Sequence, residues 1–469
     1  MREFVRHLHF VGIGGAGMSG IAAVLADQGY QISGSDIRDS STTEWLRSRG
    51  VEVAVGHQAS HVKDADVVVV SGAVGVNNPE ILAAQREGIP VLPRAQILGE
   101  LMRFRKGIAV AGTHGKTTTT SLIAEILSGA GLDPTFVVGG LVNSAQGGAR
   151  LGDGEYLVAE ADESDCSFLH LQPLVAVVTN VDADHLEAYN GDFGLLVSAF
   201  SDFLQRLPFY GLAVLYADDP VLQELRTRLS NPVITYGTSP DADYRAVDIR
   251  QYGPRMTFRI CMPDQMPVSA ELALAGRHNV MNALAATGIA HRLGVGIESI
   301  LQSLARFQGV ARRIEILGHL ALGPADVLLV DDYAHHPTEI AATLDAVRGS
   351  WPERRLIVVF QPHRFTRTEA LFDRFCDVLE KEPHLWISGV YAAGEAPISG
   401  ADSASLCFAI GERTGKAPVC VDDLSQLKDL LIPVLQSGDL VLTLGAGDIG
   451  RTLREVFPVL DDSHKSACT

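Results

Sequence analysis

Short apolar runs alternate with amphipathic stretches and turn residues along the whole chain. Residues 8–11, 30–33 and 67–70 read as strands, with a helix expected from about 19 to 28 behind a glycine-rich turn. Pro90 and Pro93 frame another short strand, and residues 103–106 read as a charged linker. Beyond it, residues 108–111, 156–159 and 174–179 are continuous apolar runs of the kind covered on both faces, and 279–293 carries a helical pattern. Residues 327–330, 356–360 and 440–444 repeat the strand signal, with a helix expected over 369–380. This alternation predicts α/β units, each a parallel sheet with helices on both faces. Three units in series follow, over residues 1–106, 107–316 and 317–469.

Composition narrows the classes. A chain of 469 residues is too long for one core. Its net charge of -18 argues against a nucleic-acid or membrane-surface partner. The six cysteines are scattered without a C-x-x-C pair, which points to reduced thiols in a cytoplasmic protein. No long apolar run follows the N-terminal charges, so no signal peptide is expected, and no stretch reads as spanning a bilayer. Residues 461–469 read as a frayed tail.

The densest chemistry lies at Gly112-Thr113-His114-Gly115-Lys116-Thr117-Thr118, between an apolar run and a helical pattern. A strand, a glycine turn and a helix N-terminus together bind anions through backbone N–H groups and the helix dipole. Lys116 would reach the outer phosphates of a nucleotide and the Thr117 hydroxyl would sit on Mg²⁺. The usual loop opens with a glycine where this chain has Val110, so Gly112 supplies a shorter loop.

Other segments carry competing readings. Gly12-Ile13-Gly14-Gly15-Ala16-Gly17 satisfies G-x-G-x-x-G after a strand, with Asp36 just past the next strand; this suits a dinucleotide or a diphosphate. Gly445-Ala446-Gly447-Asp448-Ile449-Gly450 satisfies the same pattern and reads better as a structural turn. Glu160 to Asp165 offers carboxylates at a strand end, for Mg²⁺ or for solvent. His185 closes the segment Thr179-Asn180-Val181-Asp182-Ala183-Asp184-His185, as a metal ligand, a phosphate partner or neither. Asn279, after Gly276, Arg277 and His278, reads as a helix N-cap, with adenine contact as the functional alternative. Asp331 to Pro337 and Gln361 to Arg367 both follow strands, and Arg364 and Arg367 lie close enough on one turn to clamp a carboxylate or phosphate. Arg312 and Arg313 add a basic pair. An NAD-dependent oxidoreductase would leave the phosphate loop idle, and a P-loop switch or motor would leave the Arg and His clusters of the third region idle.

Taken together, G-T-H-G-K-T-T, E-A-D-E-S-D, T-N-x-x-x-D-H, G-x-H-N-x-x-N and D-D-Y-x-H-H-P resemble the Mur ligases of peptidoglycan synthesis. Gly12 to Gly15 with Met18-Ser19-Gly20, residues 361–368 and Tyr391-Ala392-Ala393-Gly394-Glu395 resemble the member that joins L-alanine to UDP-N-acetylmuramate. The resemblance covers nearly the whole chain; Ala311 and Ala334 stand where glycines are common in the family. It implies a three-domain α/β architecture: a Rossmann-like domain for the UDP-sugar, a central P-loop ATPase-like domain, and a Rossmann-like C-terminal domain for closure and the amino acid. The implied UDP-sugar residues are Gly12, Gly14, Gly15, Gly17, Met18, Asp36 and Ser71. Those for ATP are Gly112, Thr113, His114, Gly115, Lys116, Thr117, Thr118, His278, Asn279, Asn282 and Arg313. Thr117, Glu160 and His185 are implied for Mg²⁺, and Tyr333, His335, His363, Arg364 and Arg367 for the amino acid. The implied catalytic group is Lys116, His185, Glu160, Arg364, Arg367 and His335. Later ligases of the pathway use a carbamoylated lysine near Mg²⁺, whereas this chain has no Lys between Lys116 and Lys381. A recycling ligase that attaches preformed peptides to the same UDP-sugar is the nearest alternative. The partners implied are the UDP-sugar, L-alanine and ATP, with the protein a monomer or weak homodimer in the cytoplasm.

Overall fold

The computed structural model describes residues 3–142, 147–321, 324 and 326–460, so the expected tail at 461–469 lies outside the described residues. Two compact units emerge. The first gathers residues up to 249 with 257–272 and 279–310; the second gathers 250–256, 273–278 and residues from 311 onward.

The first unit opens with β1 (His7–Val11), β2 (Gln31–Asp36), β3 (Glu52–Val55), β4 (Val67–Val70) and β5 (Val91–Pro93). Their order is β3-β2-β1-β4-β5 and every pair is parallel. The order reverses between β1 and β4, where an open α/β sheet leaves a crevice at its C-terminal edge. Asp36 is the last residue of β2 and not beyond it. The charged linker expected at 103–106 is absent as such: Arg103 ends the helix Arg94–Arg103 and Lys106 begins the next strand. Arg105 donates to the Gly152 carbonyl at 3.0 Å, which ties this stretch to the sheet that follows.

That sheet contains β6 (Lys106–Ala111), β7 (Thr135–Val142), β8 (Gly147–Arg150), β9 (Tyr156–Glu160), β10 (Val175–Val178), β11 (Leu212–Tyr216), β12 (Val233–Gly237), β13 (Tyr244–Tyr252), β14 (Arg255–Cys261) and β15 (Val268–Leu272). The order is β15-β14-β13-β12-β11-β10-β6-β9-β7-β8. β6 lies between β9 and β10, parallel to both, so the chain leaving β6 is flanked by the ends of those two strands. β7 and β8 form an antiparallel pair. The helix Ala16–Asp27 packs on that pair, and Gly20 is what permits it: a Cβ there would meet Ala149 and Val137 at 3.2 Å.

The second unit holds β16 (Glu315–Leu320), β17 (Leu328–Asp332), β18 (Leu356–Phe360), β19 (Leu385–Ser388), β20 (Val419–Val421), β21 (Leu440–Leu444) and β22 (Val459–Leu460). Its order is β20-β19-β18-β21-β17-β16-β22, parallel from β20 to β17, with β16 antiparallel to both of its neighbours. The cut expected between 316 and 317 falls inside β16. Alternate residues of the central strands serve two cores. Val330, Val358, Phe360 and Leu442 face one, while Leu329, Ile357, Val359 and Val441 face the other. Each such side chain contributes about 1.5–3 kcal/mol on burial, which is why these strands read as largely apolar runs. The helix expected over 369–380 is two helices, Phe365–Ala370 and Phe372–Leu379, meeting at Leu371.

Candidate active site

At the first sheet's reversal point lies a cavity of about 750 Å³ lined by Gly12, Gly14, Gly15, Asp36, His57 and Ser71, among others. Gly12 takes a left-handed φ of 78°, and the Gly14 N–H donates to Asp36 Oδ2 at 2.9 Å, so the turn and the carboxylate are one unit. Two expected ligand residues stand apart from it. Met18 is only 1% exposed and belongs to the core. Gly17 packs under the Arg94 guanidinium, and a side chain there would push it aside. Arg94 in turn pairs with Asp162 at 2.6 Å.

The second glycine pattern is structural. A Cβ on Gly447 would collide with Gln361 and Tyr391, one on Gly450 with Asp331, and Arg312 binds the Gly445 and Gly447 carbonyls. Close packing, not cofactor access, accounts for its glycines.

The phosphate loop follows β6. Gly112 has φ 120° and Gly115 has φ 82°, conformations that favour glycine, and a Cβ on Gly112 would overlap the Thr179 hydroxyl. Gly115 caps the helix Lys116–Gly129 without a side-chain acceptor, which leaves first-turn N–H groups for an anion. Residues after β10 clasp the loop. Thr113 N donates to Asn180 O at 3.1 Å, His114 N to Asn180 Oδ1 at 2.9 Å, and Asp182 N to Thr113 Oγ1 at 2.9 Å. The His114 ring lies 3.2 Å from Asp182 Oδ2. Thr118 is buried in the first turn. Thr119 Oγ1 donates to Asn282 Oδ1 at 3.2 Å, and Asn282 Nδ2 donates to Asn279 Oδ1 at the same distance. Asn279 is therefore not a cap: it is the third residue of the helix Arg277–Arg292 and is buried. Asn282 supports the loop at Gly115, a role its place in the sequence does not show.

Lys116 folds over its own loop. Its Nζ donates to Gly112 O at 2.7 Å, to Thr113 O at 3.3 Å, and to both Glu163 oxygens at 2.8 and 2.9 Å. Burial alone would depress the Lys116 ammonium; the Glu163 and Asp162 carboxylates beside it win and hold its pKa above the ordinary lysine value. Burial pushes the Glu163 carboxyl upward, against the pull of Lys116. Glu163 thus joins the site, although its acidic segment alone does not reveal which carboxylate meets the lysine.

Glu160 ends β9 on the other flank. Burial raises its carboxyl pKa, against hydrogen bonds from the Gly139 N–H and the Thr117 hydroxyl. Its Oε1 is buried without a hydrogen-bond partner. An orphaned buried carboxylate oxygen beside a threonine hydroxyl fits a hard divalent cation, which takes oxygen ligands. Thr117 and Glu160 would hold Mg²⁺ here. His185 has a left-handed φ of 55° and its Nε2 lies 3.6 Å from Asp184 Oδ2.

In the second unit, the ends of β17, β18 and β19 converge. Two guanidiniums lie by the Tyr333 ring, Arg312 at 5.1 Å and Arg313 at 5.3 Å from its centroid. Tyr333, His335, His363 and Tyr391 form a ring column, with centroids 5.3, 5.7 and 5.4 Å apart and the last pair stacked at 10°. Asp332 accepts from Ile314 N at 2.7 Å, from Ala334 N at 2.8 Å and from Thr343 Oγ1 at 3.2 Å, while burial pushes it up to about 6. His278 is pushed down to about 4 by burial and by the Arg313 charge. The expected Arg364–Arg367 clamp does not form as such. Arg367 is 4% exposed and its Nη1 lies 3.3 Å from His363 Nδ1. The Arg364 side chain is 43% exposed, with Glu395 Oε1 at 3.8 Å. Tyr391 and Glu395 therefore belong to this cluster, although the sequence reading assigned them no role.

Comparison with known proteins identifies the family. Models of the Mur ligase family, catalytic domain, of the Mur ligase middle domain and of the Mur ligase, glutamate ligase domain match residues 7–106, 110–290 and 296–447. The crystal structure of UDP-N-acetylmuramate-alanine ligase from Thermotoga maritima is similar at 29% identity and TM-score 0.82, covering 96% of this chain and 98% of that one. UDP-N-acetylmuramate:L-alanyl-gamma-D-glutamyl-meso-diaminopimelate ligase from Neisseria meningitides is also 29% identical, at TM-score 0.60, over 66% of this chain and 100% of its own. A murein peptide ligase from Psychrobacter arcticus 273-4 shares the fold at 24% identity and TM-score 0.72, over 97% of this chain and 100% of its own. Among the described residues, no helix is long and apolar enough to cross a membrane. With an α/β phosphate loop, a nucleotide-sized cavity and three family domains in order, the chain belongs to the Mur ligase family, the ATP-dependent amide-bond-forming ligases of peptidoglycan precursor synthesis.

Proposed function

We propose that the chain joins L-alanine to the carboxylate of UDP-N-acetylmuramate at the expense of ATP, in the cytoplasm. The observation that carries this reading is the likeness in fold to the Thermotoga alanine ligase over nearly the whole length of both chains. The absence of Lys between Lys116 and Lys381 supports it against the later ligases of the pathway. In this reading a UDP-sugar domain spans about residues 1–106, an ATP domain 107–316 and an amino-acid domain 317–469.

The chemistry follows from the substrates. A carboxylate is a poor electrophile, so its oxygen first takes the γ-phosphoryl group of ATP, releasing ADP. The alanine amine then attacks the acyl phosphate, and phosphate leaves with the amide formed. Lys116, freed from Glu163, stabilises charge on the moving phosphoryl group. Thr117 and Glu160 would hold Mg²⁺, with His185 as a further candidate ligand, and the ion would add neutralisation of phosphate charge. Gly12, Gly14, Gly15, Asp36 and Ser71 receive the UDP-sugar in the cavity they line. Asn279, Asn282, His278 and Arg313 serve the ATP end, and Tyr333, His335, His363 and Arg364 the amino-acid end.

Arg364 is the more exposed of the two arginines, and a guanidinium matches a carboxylate in a bidentate way that lysine does not. Arg364→Lys is expected to raise the KM for alanine about 10-fold while ATP affinity is unchanged. Steady-state kinetics with calorimetric ATP titration checks this; wild-type alanine kinetics contradicts it. The recycling reading draws on the likeness to the Neisseria ligase. It predicts that L-alanyl-γ-D-glutamyl-meso-diaminopimelate outcompetes free alanine as acceptor, and a panel of both acceptors decides.

A further inference from the structure

Behind the first cavity lies a polar cluster that the mechanism does not use. Glu80, in the first turn of the helix Pro79–Glu87, is 0% exposed. Its Oε1 accepts from His61 Nδ1 at 2.6 Å and from Gln58 N at 3.3 Å. Its Oε2 accepts from Ser35 Oγ at 2.5 Å, with His57 Nδ1 at 3.3 Å and His9 Nε2 at 3.7 Å. A buried carboxylate is costly unless its oxygens are satisfied, so this density of partners is itself informative. Burial would raise Glu80; the nearby His9 ring and hydrogen bonds from Ser35 and His61 outweigh it and hold the group at about 2. It is an ionised acceptor.

The donor directions fix one ring. Ser35 has a single hydroxyl hydrogen, and it is committed to Glu80. Ser35 Oγ also lies 2.9 Å from His57 Nδ1, so here the serine accepts and Nδ1 donates. With Nδ1 as the donor, the single-proton form of the His57 ring leaves Nε2 as an acceptor. His57 lines the cavity, and its side chain is 17% exposed.

We infer that Glu80 is a positioning residue for nucleotide-sugar recognition: through Ser35 it locks His57 in the Nδ1–H form, so that Nε2 accepts a hydrogen bond from an N–H or O–H of the ligand in the cavity. This rests on the reading of that cavity as the UDP-sugar site. Phosphate oxygens are acceptors and do not suit a lone pair; the uracil N–H and the ribose or sugar hydroxyls do. A glutamine in place of Glu80 offers His57 a donor and releases the ring to the opposite tautomer.

Two measurements test it on the full chain. In the wild-type protein labelled with ¹⁵N-histidine, the His57 signal, identified by its loss in His57→Asn, is expected to report Nδ1–H; an Nε2–H ring overturns the inference without any variant of Glu80. Kinetically, Glu80→Gln is expected to raise the KM for UDP-N-acetylmuramate about 10-fold, with kcat within about twofold and the KM for ATP unchanged. Should that variant not fold, His57→Asn is expected to show the same split. Replacing the ligand by its 3-methyluridine or 2′-deoxy analogue locates the donor: the analogue that lacks it binds wild type and Glu80→Gln alike. An unchanged KM, or an equal fall in kcat, overturns the inference. If the wild-type chain binds no UDP-N-acetylmuramate by calorimetry, the UDP-sugar reading of the cavity fails too, whereas normal wild-type binding with an unaffected Glu80→Gln KM refutes the positioning role alone.

Discussion

Lys116→Ala is expected to lower turnover by at least about 10³, close to 4 kcal/mol of transition-state stabilisation. Lys116 is the ammonium over the phosphate loop, and no other Lys follows it before Lys381. Arg94 is engaged with Asp162. The variant has a second effect that must be separated from the first. Glu163 is 1% exposed and pairs with Lys116 through both oxygens, so deleting the lysine strands a buried carboxylate. Breaking such a pair costs about 3 kcal/mol or more of stability. Lys116→Met combined with Glu163→Gln removes that charge and should restore the melting temperature without restoring turnover. Phosphate release measured beside circular-dichroism melting distinguishes the two. Recovery of activity in the double variant would show that Lys116 acts through folding and not on the phosphoryl group.

Glu160→Gln is expected to raise the Mg²⁺ concentration for half-maximal activity about 10-fold and to lower turnover about 10². The substitution keeps the shape of the side chain and removes its charge. In the protein, Glu160 has one oxygen on the Gly139 N–H side and another, Oε1, buried with no partner. Burial raises its carboxyl pKa, and a bound cation would offset that cost of keeping the charge. Titration of phosphate release with MgCl₂ reads the effect, and thermal shift of the ADP complex with and without Mg²⁺ reads it independently of turnover. An unchanged Mg²⁺ dependence would place the cation elsewhere.

How much of this was legible follows from what the residues do. Strands at 67–70, 356–360 and 440–444 were readable because both faces are covered and every residue but Thr443 is apolar. β3 was not: its residues are only partly buried, and an edge strand leaves a weak signal. β14 was available in the alternation of Met256, Phe258 and Ile260, all buried, with Thr257 and Arg259 between them. The phosphate loop was local and complete in the sequence. Its supports were not, because Asn282 reaches Gly115 and Thr119 across 163 residues or more. Sequence spacing put Arg364 and Arg367 on one turn, but the burial of Arg367 against His363 depends on the end of β18 and not on helical periodicity. Met18 followed the glycine motif into the expected ligand set, yet the helix that carries it turns its side chain into the core.

The most direct test of the account is acceptor-dependent phosphate release with ATP and UDP-N-acetylmuramate over a panel of free amino acids and the L-alanyl tripeptide, with product masses determined. The account predicts ADP, phosphate and a product heavier by one alanine residue, with L-alanine the preferred acceptor. Preference for the tripeptide, or ATP turnover independent of the UDP-sugar, would contradict it.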